Sequence, residues 1–234
     1  GVLNRRTGEI EPTALGVDPA WDGNAGHAWL DLRARHAGIS TGLSAPAAAT
    51  ELGFAMRARL MGLGDGREHL GAFDLGTGEE IDWNVGKPKR VKLTPSIIGR
   101  LESGTGVGLV HNHPSSAPLS PDDMAVMFQR QVRSIFAVGH DGSLYRAQML
   151  RPSRGDMREL AEVAAELIDE FAPGLTNTER DHAVRLAVLD VLQSQGLLLY
   201  QESLGARSRA IRQSIEETAR AVAAAIVRAM NGDA

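Results

Sequence analysis

Two hydrophobic periods alternate along the chain. Between residues 45 and 62, apolar side chains fall four apart at Leu52, Met56 and Leu60. Ser44 before Pro46 is a start signal, and Gly62, Gly64 and Gly66 are stop signals, so a helix is predicted there. The period then shortens. His69 to Leu75 and Ile81, Trp83, Val85 read as two strands of a hairpin over residues 68–86, turning at Gly76-Thr77-Gly78. A basic loop, Lys87-Pro88-Lys89-Arg90, follows, and Thr94-Pro95 opens a short helix. Gly106 to Val110 is an apolar run of the kind a buried strand shows, and it leads into His111. Ser120-Pro121-Asp122-Asp123 begins another helix, with Met124, Met127, Phe128 and Val132 behind it. Ser134 to Tyr145 predicts a second hairpin turning at Asp141-Gly142.

The last third reads as mostly helical. Met157, Leu160, Ala161, Ala164, Leu167, Ile168 and Phe171 form one stripe, stopped by Pro173-Gly174. Thr176 and Glu179 have capping-box spacing for a second helix ending near Gly196. A third runs from about Ala206 to Met230 and stops at Asn231-Gly232. The first stretch is different: rich in Gly, Pro, Asp and Arg, it has little period before Ala28 to Arg33, where a short helix is predicted. The divisions are therefore an irregular arm over 1–43, a central domain over 44–152 and a helical extension over 153–234.

Composition narrows the chemistry. With 234 residues the chain is long enough for a sizeable core, and at 4% aromatics that core must be packed by Leu, Val, Ile and Ala. The net charge of -4 argues against binding driven by general phosphate attraction, while leaving room for a local basic patch. There is no cysteine, so disulfides and thiolate metal sites are excluded, and a reducing, cytoplasmic setting is expected. No signal-peptide pattern and no membrane-spanning run is visible. The first residue is Gly1 and not Met, as expected of a fragment or a processed chain.

Any metal must then be held by His and carboxylates, and one group has the spacing. In His111-Asn112-His113-Pro114, residues two apart on a strand project to one face, so His111 and His113 point together at a strand end. Ser120 is placed to cap the next helix, with Asp123 in its first turn. Ser-Pro-Asp-Asp alone is an ordinary helix cap with charge favourable to the dipole, and capping and metal binding can coexist. Two imidazoles and one carboxylate make a three-ligand site with an open fourth position, the pattern of a catalytic zinc. His27, His36, His69, His140 and His182 have no such spacing and are read as structural or exposed.

His-x-His-Pro followed by Ser-x-x-Asp resembles the JAMM signature of JAB/MPN metallopeptidases, and His111 to Ser115 is especially similar to the RadC branch. The loop between His113 and Ser120 is one residue shorter than the usual pattern. The resemblance covers about residues 45–150. It implies an α/β (α+β) fold: a cytidine-deaminase-like curved mixed sheet flanked by helices, here with the helical C-terminal extension. It implies one Zn²⁺ on His111, His113 and Asp123, and hydrolysis of a peptide or isopeptide bond by a zinc-activated water. By position Glu68 is the general base; Glu51 is the rival, inside a predicted helix where a Glu is ordinarily solvated. Ser120 is the expected oxyanion donor. The alternative is a catalytically inactive scaffold or interaction module.

Asn4 to Ile10 and Gly16 to Asp22 resemble the end of Mu F-like phage head-morphogenesis proteins, with Ala20 and Ala25 departing from that pattern. This implies a phage or prophage origin and a bacterial host cytoplasm or virion as location. The expected partner is a protein or peptide substrate. Neither a membrane nor nucleic acid is expected, and the C-terminal helices offer a surface for self-association or a partner. The letters His-Asn-His lack the spacing of an HNH nuclease.

Overall fold

The computed structural model describes residues 2–3, 10–11, 32–39 and 42–232. The arm segments Asn4 to Glu9 and Gly16 to Asp22, with their phage-like pattern, lie outside the described residues. Residues 32–37 are helical, in line with the end of the helix expected near Arg33.

Helix α1 (Ala45–Asp65) starts where Ser44 accepts a hydrogen bond from the Ala47 amide and Pro46 occupies the first turn. It ends at Gly66, whose φ of 70° is left-handed and suits glycine. The helix therefore continues through Gly62 and Gly64, which the sequence reading took as breaks. Its buried stripe is Ala47, Glu51, Phe54, Ala55, Met56, Ala58 and Gly62, so Met56 of the expected apolar series is buried. Leu52 and Leu60 sit at the margin of that stripe, half-buried. Small residues at the centre let the helix axis lie close to the sheet.

Strands β1 (His69–Asp74) and β2 (Glu80–Val85) form the expected hairpin. Helix α2 (Pro95–Glu102) follows, capped by Thr94. Then come β3 (Val107–His113), α3 (Pro121–Arg130), β4 (Ser134–Gly139) and β5 (Leu144–Met149). Helices α4 (Met157–Phe171) and α5 (Asn177–Ser194) lead to β6 (Leu198–Ser203), and α6 (Ala206–Asn231) closes the chain. One open sheet of order β2-β1-β3-β4-β5-β6 runs through the protein. Its neighbours are antiparallel except β3 and β4, which are parallel and need α3 as their crossover. The fold is α+β.

Each face of the sheet is covered. Phe73, Val110, Phe136, Val138 and Leu144 pack against α1 and the buried Leu32 and Ile39. On the opposite face, Leu70, Leu109, Ile135, Ala137 and Ala147 belong to the larger core with Met124, Ile168, Leu186 and Ile215 of the other helices. Strand β6 was not foreseen. It pairs with β5 from Leu144↔Ser203 to Met149↔Leu198 and so ties residues 153–234 to the same sheet. Its signal is short: Leu197 to Tyr200 comes directly after the left-handed Gly196, with no alternation to mark a strand. No helix among the described residues is long and apolar enough to cross a membrane.

Candidate metal centre

Strand β3 decides the site. Val107, Leu109, His111 and His113 share one face by alternation, with Val107 and Leu109 in the larger core. His111 and His113 thus emerge on that face at the carboxyl end of a strand that is parallel to its neighbour. In open sheets this is where ligands gather. Helix α3 begins beside them. Ser120 is its N-cap, and the capping box is complete: Ser120 Oγ accepts from the Asp123 amide at 3.1 Å, and the Ser120 amide donates to Asp123 Oδ2 at 2.7 Å. The Ser120 hydroxyl also donates to Asp123 Oδ2, at 2.7 Å. Its proton is thus engaged in orienting the Asp123 carboxylate.

The three expected ligands come together. His111 Nε2 lies 3.3 Å from Asp123 Oδ1, and His113 Nε2 lies 3.4 Å from Asp123 Oδ2. A tetrahedral ion with bonds of about 2.0 Å holds its ligand atoms roughly 3.3 Å apart. The two Nε2 atoms are 2.8 Å apart, and all the ligand atoms fall within 4.8 Å of one another. His113 Nδ1 donates to Ala117 O at 2.7 Å, which leaves the Nε2 lone pair of the neutral ring free. Without an ion, His111 must turn its own Nε2–H to that lone pair, and its buried Nδ1 then has no partner. An ion would take the lone pairs of both Nε2 atoms in place of this contact, with the His111 proton then on its buried Nδ1. His111, His113 and Asp123 can therefore hold a metal ion.

No family model, curated protein or solved structure matches the chain. What the site can do follows from its own donors. Burial opposes charge on His111, but the Asp123 carboxylate beside it, helped by Glu68, holds its pKa above the ordinary value. Burial likewise pushes Asp123 up, and the two imidazoles overcome it, so its carboxyl is held well below the usual range.

Glu68 lies just before β1. Leu70 is directly across from His111, so two residues back along the antiparallel ladder Glu68 falls on the same face, toward His113. Burial raises its pKa; His111 and His113 pull it down and Asp123 pushes it up, with a net rise. A half-buried carboxyl with a raised pKa beside a metal site has the properties of a general base. Glu51 is placed elsewhere. It is not solvated, as a helical Glu ordinarily is, but fully buried on the α1 face of the sheet. There it bonds His36 Nε2 at 3.1 Å and Arg146 Nε at 3.3 Å. A buried guanidinium from β5 makes that burial tolerable.

Several residues of the site were missed by sequence reasoning. Asn112, between the two His ligands, faces α1 and is fully buried. Its Oδ1 accepts from the His69 amide at 2.7 Å, and its Nδ2 donates to Arg67 O at 2.9 Å. It therefore clasps the residues on both sides of Glu68. The shortened loop after His113 is also braced. Ser116, with a left-handed φ of 59°, has its carbonyl bonded by Tyr145 Oη at 2.7 Å and by Ser208 Oγ at 3.1 Å. Its hydroxyl accepts from the Asp141 amide, and the single Ser208 Oγ proton is shared between Ser116 O and the nearer Asp141 Oδ2, at 2.7 Å. Arg185 of α5 donates to Pro118 O at 2.8 Å. Bonds to the loop from α5 and α6 join residues far apart in sequence, and no local pattern could reveal them.

Proposed function

We propose that the protein is a zinc-dependent peptidase or isopeptidase of JAMM type. The observation that carries the reading is the convergence of His111 Nε2, His113 Nε2 and the Asp123 carboxylate, with Glu68 directed to the same face. Two neutral imidazoles and one carboxylate suit zinc, and three protein ligands leave a fourth position open. When bound, zinc supplies a Lewis acid that polarises a carbonyl and makes a water more acidic. Glu68 takes the proton of the attacking water on a carboxylate oxygen and returns it to the leaving amine nitrogen. Its raised pKa brings it closer to the working pH than an exposed carboxyl. Ser120 holds Asp123 Oδ2 and the α3 N-terminus in register.

Metal analysis and cleavage assays test the reading together. The purified protein is expected to bind about one zinc per chain. His113→Ala loses the metal. Glu68→Gln keeps it and abolishes hydrolysis across a panel of peptide and isopeptide substrates. Zinc binding with no cleavage by the wild type would instead favour an inactive scaffold.

A further inference from the structure

All three lysines of the chain, Lys87, Lys89 and Lys92, lie within six residues, and Arg90 stands among them. No acidic residue interrupts positions 86–92, although acids outnumber bases over the whole chain, 29 to 25. The four cations are exposed, and among the described residues none of them meets a carboxylate. Elsewhere on the protein, several arginines are paired. Arg57, Arg100, Arg158, Arg180, Arg212 and Arg220 each face a carboxylate at 2.5–3.5 Å.

This basic turn is closed by hydrogen bonds and attached to Glu68. The Lys87 amide donates to Arg90 O at 2.7 Å, and the Arg90 amide donates back to Lys87 O at 3.3 Å. Asn84 Nδ2 donates to Lys92 O at 2.8 Å, and Arg67 Nε to Gly86 O at 2.7 Å. A Cβ on Gly86 would fall 2.1 Å from Arg90 O, so the tight turn depends on that glycine. The Glu68 amide donates to Lys87 O, and Glu68 O accepts from the Gly86 amide at 2.7 Å. Holding like charges together costs free energy that a partner of opposite sign returns. Nearer the metal ligands, the cation of Arg185 is close enough to act on both Glu68 and His111.

We infer that the turn Lys87–Lys92 is the docking element for the substrate, and that the substrate segment is an acidic polypeptide. The word substrate rests on the peptidase reading; the docking itself does not. Lysine ammoniums are hydrated point charges without bidentate geometry, which suits a flexible acidic chain held by charge alone. Nucleic acid fits less well. Arg57 lies over the ring of Trp83 at 3.9 Å and takes up one of its stacking faces, and the net charge is negative.

The test is fluorescence anisotropy with a labelled oligoglutamate peptide at low salt, on the 234-residue chain, zinc-loaded and EDTA-treated. Saturable binding is expected in both states, weakening as salt rises. The quadruple variant Lys87→Gln/Lys89→Gln/Arg90→Gln/Lys92→Gln should bind about tenfold more weakly. Its zinc content and melting temperature should be unchanged, because the altered side chains are exposed. Equal affinity in the variant, or no binding by the wild type, overturns the proposal. So does an oligothymidylate of equal charge that binds as tightly as the peptide. Binding that survives EDTA while no peptide is ever cleaved would sink the peptidase reading and leave the docking surface standing.

Discussion

Asn112 joins the two halves of the site by a single side chain. Its amide satisfies one donor and one acceptor of the backbone on either side of Glu68 while its own strand carries both His ligands. Asn112→Ala leaves the His69 amide and Arg67 carbonyl without these partners, which costs about 1–3 kcal/mol for each group that stays buried. The ligands remain on the strand backbone, so zinc stoichiometry should be retained. Glu68 loses its brace, and kcat should fall by about ten- to a hundredfold. Asn112→Asp keeps the acceptor for His69 and loses the donor to Arg67, so its kcat should lie between the two. Metal analysis beside steady-state kinetics checks this; loss of zinc in Asn112→Ala would reject it. The grouping of His111, His113 and Asp123 was legible because strand alternation and helix capping are local rules that act within His111–Asp123. Asn112 was not, because its partners are 43 and 45 residues away. Glu51 was misread for the same reason: periodicity reports a helix face, and what covers that face, here Arg146 of β5, is a matter of tertiary packing.

At the level of elements, α1 shows how a glycine can look like a stop signal and be a packing device. A Cβ on Gly62 would lie 2.1 Å from Asn112 Nδ2 and 2.8 Å from His140 Nε2. Gly64, one half-turn on, has nothing within 4 Å of its missing Cβ. The two glycines should therefore answer substitution with opposite sign. Gly64→Ala gains helix propensity and should stabilise the protein by about 0.5–1 kcal/mol. Gly62→Ala gains the same propensity but overpacks a filled site, and should destabilise by about 1–3 kcal/mol on balance. It should also lower activity, since the atom displaced belongs to the Asn112 clasp. Urea denaturation of the two variants measures the difference; a stabilised Gly62→Ala would refute the close-approach argument. The same competition explains which boundaries could be read. The start of α3 was visible because its capping box is written in four consecutive residues. The end of α1 was not, because three glycines in five residues carry two different duties.

Across the whole molecule, the C-terminal third does more than extend the domain. Strand β6 completes the sheet, and α5 and α6 reach the loop that sets the third ligand. Stability of this region and integrity of the site should therefore fail together, and His182 gives a way to see it. His182 is 3% exposed on α5, and its Nε2 has no hydrogen-bond partner. It lines a small cavity with Pro118 of the ligand loop, Tyr145, Glu202, Ser208 and Arg212. Burial lowers its pKa from an ordinary 6.5 to about 4, with Asp181 and Asp141 opposing the shift and Arg185 and Arg207 adding to it. The native state thus excludes a proton that the unfolded chain takes up below pH 6.5. Because the unfolded state binds more protons in this window, stability contributed by neutral His182 falls as pH drops from about 6.5 to about 4, and no further below it. The melting temperature of the wild type should decline over that range. His182→Met removes the titrating group from its buried setting and should flatten the decline. If zinc release in the wild type follows the same pH course but shifts to lower pH in His182→Met, the C-terminal helices hold the metal site in its working form. Identical zinc-release curves in the two proteins would mean that α5 and α6 brace a loop the ligands do not need.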